Sequence, residues 1–204
     1  MHQFDKTYWE GRWGTAQAGE GRSLQVHPYL PSETTDLPVG TALDAGCGTG
    51  TESLWLAGQG WHVTGADISP TALTTAAGRA AAAGLEDRVE WIDVDLARWE
   101  PNRRWDLVVT SYAHADIGQL AFYQRIASWV SPGGTLLIIG HLHDQHGPTS
   151  GHPEDATATL AGITGLFTTP DWRIDAGYEN TRTVRTRGQD LRLRDVIVRA
   201  HRLA

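Results

Sequence analysis

The stretch LDAGCGTGTE, residues 43–52, decides the fold. An apolar run, TALDA at 41–45, leads into it and a helical pattern near 51–58 leads out, so Gly46, Gly48 and Gly50 fall in a strand-to-helix turn. Glycines there let the backbone bend tightly and let a ligand approach it closely. WHVTGAD at 61–67 reads as a second strand ending on Asp67, twenty-three residues after Asp44. An acid at that strand end is placed to accept both hydroxyls of a ribose.

Outward from this turn the chain alternates between two periodicities. Ser69-Pro70 reads as an N-cap with proline at the first helical position, and the alanine-rich run to Ala83 stops at Gly84. RVEWIDV (88–94), DLVVTSY (106–112) and TLLIIG (135–140) read as strands, and QLAFYQRIASWV (119–130) as a helix. Strands separated by helices imply right-handed crossovers and a mainly parallel sheet with helices on both faces, an α/β fold. WRIDAGYENTRTVRT (172–186) and DLRLRDVIVRAHR (190–202) have no helix between them and read as a closing antiparallel pair. Before them lies a long segment, 141–170, of the kind that is usually functional or partly helical; PEDATATLAGI at 153–163 is its expected helix.

With 204 residues, 40% hydrophobic and 20% charged, the sequence fits one domain, residues 1–204. A net charge of -7 supplies no basic field for phosphates, which argues against nucleic acid and toward a small-molecule acceptor. The single cysteine, Cys47, cannot form an internal disulfide, and neither a signal-peptide core nor a membrane-spanning apolar run is visible. The expectation is a cytoplasmic protein, monomer or homodimer, without a membrane partner. Nine tryptophans suit a flat or sugar-like ligand if several line one cleft.

The turn itself selects the ligand. A dinucleotide fingerprint is G-x-G-x-x-G, whereas here the spacing is G-x-G-x-G and Thr51 holds the sixth place. Asp44 stands just before the turn, and a carboxylate there suits a ligand carrying an ammonium group better than one carrying phosphates. S-adenosylmethionine satisfies both facts. A nicotinamide dehydrogenase, opposed by the missing third glycine, and a non-catalytic cofactor-binding protein are the rivals.

LDAGCGTG, GADIS, VDLARW, WDLVVTSYAH and SPGGTLLIIGH occur in order over roughly residues 40–141 and resemble the class I S-adenosylmethionine-dependent methyltransferases. That resemblance implies a Rossmann-like sheet of seven strands in the order 3-2-1-4-5-7-6, with strand seven antiparallel. It implies cofactor contacts from Asp44, Gly46, Cys47 and Gly48 in the turn, Asp67 and Ile68 at the ribose, Asp95 and Leu96 at the adenine, and Ser111 near the end of strand four. Asp106 is read as structural. YWEGRW, HPYL, SYAH, the GH after strand five and RDVIVRAHR narrow the resemblance to small actinobacterial single-domain enzymes similar to the thiopurine and tellurite methyltransferases. In those an aromatic and basic N-terminal segment folds over the cofactor, which here implies Tyr8, Trp9, Arg12 and Trp13. The chain then divides into a lid and substrate segment (1–37), a cofactor-binding core (38–140), an acceptor-site loop (141–170) and closing strands (171–204).

Ligands of such sheets sit at the carboxyl ends of the strands, which brings His114 and the run GHLHDQHG (140–147) to the acceptor. His141, His143, Asp144 and His114 are the candidate catalytic groups, with Asp144 or Asp116 able to orient an imidazole. A tightly bound metal is not expected: His141 and His143 alternate on a strand, no cysteine assists, and H-E-x-x-H is absent. A weak Mg²⁺ held by carboxylates and a substrate diol is conceivable but is not part of the reading. The main expectation is methyl transfer to a hydroxyl of a small polar metabolite, possibly a sugar, with His as general base contributing roughly 10²- to 10⁴-fold. The alternative is S- or chalcogen methylation of a xenobiotic, for which no base is required.

Overall fold

The computed structural model describes residues 4–16, 26–142, 157–168, 170–186 and 189–204, with side chains left aside at 15–16, 184–186 and 189–191. In chain order the elements are α1 (Lys6–Ala16), α2 (Tyr29–Thr34), β1 (Thr41–Ala45), α3 (Thr51–Gly58), β2 (His62–Asp67), α4 (Pro70–Ala83), a 3₁₀ turn (Glu86–Arg88), β3 (Val89–Asp93), β4 (Trp105–Ser111), α5 (Gln119–Ala127), β5 (Val130–Leu142), β6 (Thr157–Ala158), α6 (Leu160–Gly165), β7 (Trp172–Thr186) and β8 (Gln189–Arg202). The sheet order is β3-β2-β1-β4-β5-β8-β7, with the two-residue β6 pairing β5 off this path. β1 to β5 are mutually parallel, and β8 is antiparallel to both neighbours. With β6 set aside, this is the expected seven-strand order, 3-2-1-4-5-7-6.

Local chemistry accounts for the element boundaries. Ser69 caps α4 by accepting from the Ala72 amide at 3.2 Å, Pro70 opens the helix, and Gly84 ends it in the left-handed region at φ 66°. Ala72, Leu73, Ala76 and Ala80 form its buried stripe at helical spacing. The expected helix at 153–163 is corrected: residues 157–158 form β6, and α6 begins at Leu160, where the Thr159 hydroxyl accepts from the Gly162 amide. Residues 153–156 lie outside the described residues. The expected helix at 119–130 ends at Ala127, and Val130 already belongs to β5.

The pleat of β4 and β5 divides the core in two. Val108, Leu136 and Ile138 face one side with Phe122, Ile126 and Ile163, while Leu107, Val109, Leu137 and Ile139 face the other with Leu30, Leu56 and Ile197. Asp106 is structural as expected, its carboxylate accepting from the Thr41 amide and hydroxyl at 2.8 Å each. β1, β2, β4 and β5 therefore deliver their carboxyl ends to one rim. No helix among the described residues is long and apolar enough to cross a membrane.

Candidate active site

The turn after β1 is built from glycines in conformations other residues resist. Gly46, Gly48 and Gly50 have φ of 82°, 52° and 79°. An ideal Cβ on Gly46 would land on the Ala113 methyl, and one on Gly48 would come within 2.8 Å of the Trp13 ring, so both positions lack room as well as angular freedom. The Gly46 and Cys47 amides donate to Ala66 O at 2.8 and 3.1 Å, and the Gly48 amide donates to Asp67 Oδ2 at 2.8 Å, pinning the turn to the end of β2.

Three acids crowd this turn. Asp44, fully enclosed, accepts from the Ser53 hydroxyl at 2.6 Å. Burial and then the neighbouring Glu52 carboxylate push its pKa up to about 7. Burial also raises Glu52, which accepts weakly from the His27 amide, and Asp67, despite amides from Ser69, Gly48 and Ile68 that favour its ionised form. Among the described residues none of the three carries an ion pair. The Cys47 thiol is buried beside them, and burial raises its pKa well above the ordinary value.

The remaining expected cofactor residues follow the same rim. Ile68 is half-buried beyond Asp67, Leu96 is buried in the core, and Asp95 accepts from the Ala97 amide and pairs with Arg98, whose other Nη reaches Asp116 at 3.2 Å. Ser111 ends β4 with its hydroxyl buried and without a hydrogen-bond partner among the described residues. Trp13 lies on α1, which is fastened across this end of the sheet. Glu10 accepts from the Ser69 and Thr71 hydroxyls, Lys6 pairs with Asp93 at 3.3 Å, and Phe4 and Trp9 pack against the His114 ring.

The expected catalytic residues meet only in part. His114 Nδ1 stands 2.9 Å from Gln119 Oε1, so an amide orients this imidazole. His141, near the end of β5, has its ring centroid 5.8 Å from that of His114 and 4.5 Å from that of Tyr112. His143, Asp144 and His146 lie outside the described residues. No group of three or more His, Cys, Asp or Glu placed to share a metal ion occurs among the described residues.

Sequence reasoning missed a polar network adjoining His141. Asp195 of β8, fully buried and paired in register with His141, accepts on Oδ2 from Arg182 Nε at 2.6 Å and from the Tyr29 hydroxyl at 3.1 Å. Asn180 donates to the Tyr29 oxygen at 2.8 Å. Arg182 Nη2 reaches the Tyr112 hydroxyl at 3.3 Å, and that hydroxyl stands 2.9 Å from His27 Nε2. Burial, then Arg182, lowers the His27 pKa to about 4, while burial raises that of Tyr112. The Tyr112 hydroxyl thus accepts from Arg182 and shares a hydrogen bond with a neutral His27 imidazole. Tyr112 is also the one non-glycine with positive φ, 54°, among the described residues. One signal was available in sequence: Ile197 and Asp195 share a strand face, so the acid continues an apolar stripe.

The sheet order, the glycine turn and the rim of acids define the Rossmann-like fold of class I methyltransferases. Residues 42–134 match a methyltransferase domain family, and this domain belongs to the class I S-adenosylmethionine-dependent methyltransferases, whose cofactor is S-adenosylmethionine. The chain is 31% identical over 136 residues to probable thiol methyltransferase 2 of Arabidopsis thaliana, covering 64% of this chain and 60% of that protein. It is 31% identical over 143 residues to thiocyanate methyltransferase 1 of Brassica oleracea, covering 68% and 63%. Shorter matches to bacterial ribosomal and transfer RNA methyltransferases cover 50% and 56% of this chain. The chain thus spans less than two thirds of the curated relatives' length. In fold it is similar to TehB from Haemophilus influenzae, with a TM-score of 0.75 over 98% of this chain and 67% of that one, at 16% identity.

The residues present fit that cofactor. Buried carboxyl groups that meet no cation among the described residues, around a turn that admits no side chain, suit a ligand bearing an ammonium and a sulfonium, and the buried Ser111 hydroxyl adds a polar group at the strand end.

Proposed function

We propose that the chain transfers the methyl group of S-adenosylmethionine to a sulfur atom of a small acceptor. The observation that carries the first half is the trio of carboxyl groups around the left-handed glycine turn, Asp44 and Asp67 buried and Glu52 half-buried, none with an ion pair among the described residues. The second half is supported by the similarity to a thiol methyltransferase over 64% of the chain. It replaces the hydroxyl acceptor as the main reading.

S-adenosylmethionine, when bound, supplies an electrophilic methyl group. Asp44 and Glu52 would face its ammonium group, Asp67 and Ile68 its ribose, and Asp95 and Leu96 its adenine. Trp13, with Tyr8, Trp9 and Arg12 on the same helix, would exclude water from that side. The acceptor would lie at the ends of β4 and β5, against Ser111, Tyr112, His114 and His141. A thiolate attacks without help, so these residues need only aim it. The hydroxyl reading keeps one observation in its favour, the imidazole of His141 beside Tyr112, since a hydroxyl gains from a general base.

Two measurements test this. Calorimetry with S-adenosylmethionine and S-adenosylhomocysteine should give saturable binding and none with NADH. Methyl-labelled S-adenosylmethionine offered with small thiols and matched alcohols should label the thiols. Labelled alcohol, with loss of labelling in His141→Ala, would restore the hydroxyl reading, and the absence of S-adenosylmethionine binding would overturn both.

A further inference from the structure

β7 and β8 continue past the sheet. β8 pairs with β5 from His201 to Asp195, but β7 and β8 go on pairing with each other from Thr181 opposite Arg194 to Thr186 opposite Gln189. Those six further pairs make an arm of about 20 Å that projects from the rim where β5 ends. Arg182 stands at its base. Leu193 lies directly opposite, and Asp195 is the diagonal neighbour on the same face.

Three features make Arg182 more than a structural ion pair. Its carboxylate partner is fully buried whereas its own side chain is 25% exposed, so the pair presents its positive end outward. Nε and Nη2 are engaged by Asp195 and Tyr112, leaving Nη1 without a partner among the described residues. The third is Tyr112. A bulky residue at φ 54° is strained and persists only where its surroundings hold it there. Here the Tyr112 amide donates to Ile139 O, its hydroxyl joins Arg182 to His27, and its ring packs between the His27 and His141 rings. The strained residue thus joins the guanidinium, through its hydroxyl, to the ring that packs on His141, at the strand ends where the acceptor is placed.

We propose that Arg182, tethered by Asp195 and Tyr112, is the group that reads the acceptor, holding a small anion or an anionic group of the acceptor through its outward Nη1 edge. This rests on the placement of the acceptor given above. Asp195 fixes the guanidinium in direction by accepting from Nε, and the Tyr112 hydroxyl steadies it by accepting from Nη2. A planar fork held in this way discriminates by charge and direction together. The role is one of acceptor selection.

The test uses wild type, Arg182→Lys, Arg182→Gln and the double variant Arg182→Gln/Asp195→Asn, which removes both charges and leaves no buried carboxylate uncompensated if the single variant misfolds. Thiocyanate binding to the protein loaded with S-adenosylhomocysteine is measured by calorimetry and needs no turnover. KM is then compared for 3-mercaptopropionate and the neutral 2-mercaptoethanol. Loss of one charge-assisted hydrogen bond should weaken thiocyanate binding roughly 10- to 100-fold in Arg182→Gln and in the double variant, with Arg182→Lys between them and wild type. KM for mercaptopropionate should rise at least about tenfold more than KM for mercaptoethanol. Unchanged thiocyanate affinity in the double variant, or equal KM shifts for the two thiols, overturns the proposal. If wild type methylates neither thiol yet binds thiocyanate through Arg182, the anion site stands and the sulfur-acceptor reading fails.

Discussion

Asp44→Asn is the perturbation with the most definite consequence. The Asp44 carboxyl is buried, with a pKa pushed up to about 7 from an ordinary 3.8. The native state therefore holds a proton between those values that the unfolded chain has released, so folding stability falls as pH rises through this window. At 1.36 kcal/mol per unit, the loss amounts to about 4 kcal/mol by pH 8, of which roughly 2–3 kcal/mol falls between pH 5 and pH 8. Asparagine is nearly isosteric, retains an oxygen for the Ser53 hydroxyl and cannot ionise. Urea unfolding of the ligand-free protein at pH 5, 6, 7 and 8 should show the stability difference, variant minus wild type, growing by that amount across the series. S-adenosylmethionine affinity should behave oppositely: in wild type it rises with pH as Asp44 ionises against the ammonium group, and in the variant this part of the dependence disappears. Parallel stability profiles for the two proteins would refute the claim that Asp44 is a buried acid awaiting a cation.

Three further outcomes follow from the geometry. Gly46→Ala puts a methyl on the Ala113 side chain at φ 82°, so it should lower stability by more than about 1 kcal/mol in thermal unfolding and abolish S-adenosylmethionine binding by calorimetry. Ser69→Ala removes both the α4 cap and a partner of Glu10; the cap alone should cost about 1 kcal/mol in urea unfolding. Glu10→Ala leaves the cap in place but releases α1 from Ser69 and Thr71, so limited proteolysis should cut within residues 1–16 faster, with S-adenosylmethionine slowing the cut in wild type more than in the variant.

The parts of this molecule that were legible in sequence are those whose causes are local. The strand, glycine turn and helix at 41–58, the Ser69-Pro70 start and Gly84 stop of α4, and the closing antiparallel pair each follow from residues within a few positions of one another. α1 and α2 gave no such signal, because contacts distant in sequence hold them: Glu10 on α4, Phe4 and Trp9 on His114, Tyr29 on Asp195. The histidine-rich segment drew attention by composition, yet of its histidines only His141 stands among the described residues, with Tyr112 and His114 beside it. The Arg182 network was illegible for a different reason. His27, Tyr29, Tyr112, Asn180, Arg182 and Asp195 come from four separate places in the chain and meet only because the β5–β8 and β7–β8 registers bring His141, Asp195 and Asn180 into one row. The positive φ of Tyr112 falls on a residue type that carries no sequence mark of it.

The central claim, methyl transfer from S-adenosylmethionine to sulfur, is tested most directly with one acceptor offering both atoms. Incubating the protein with carbon-13 methyl-labelled S-adenosylmethionine and 2-mercaptoethanol, and reading the product by NMR, should give the S-methyl thioether alone. A labelled methyl ether, or no labelled product while S-adenosylmethionine binds, would contradict the account.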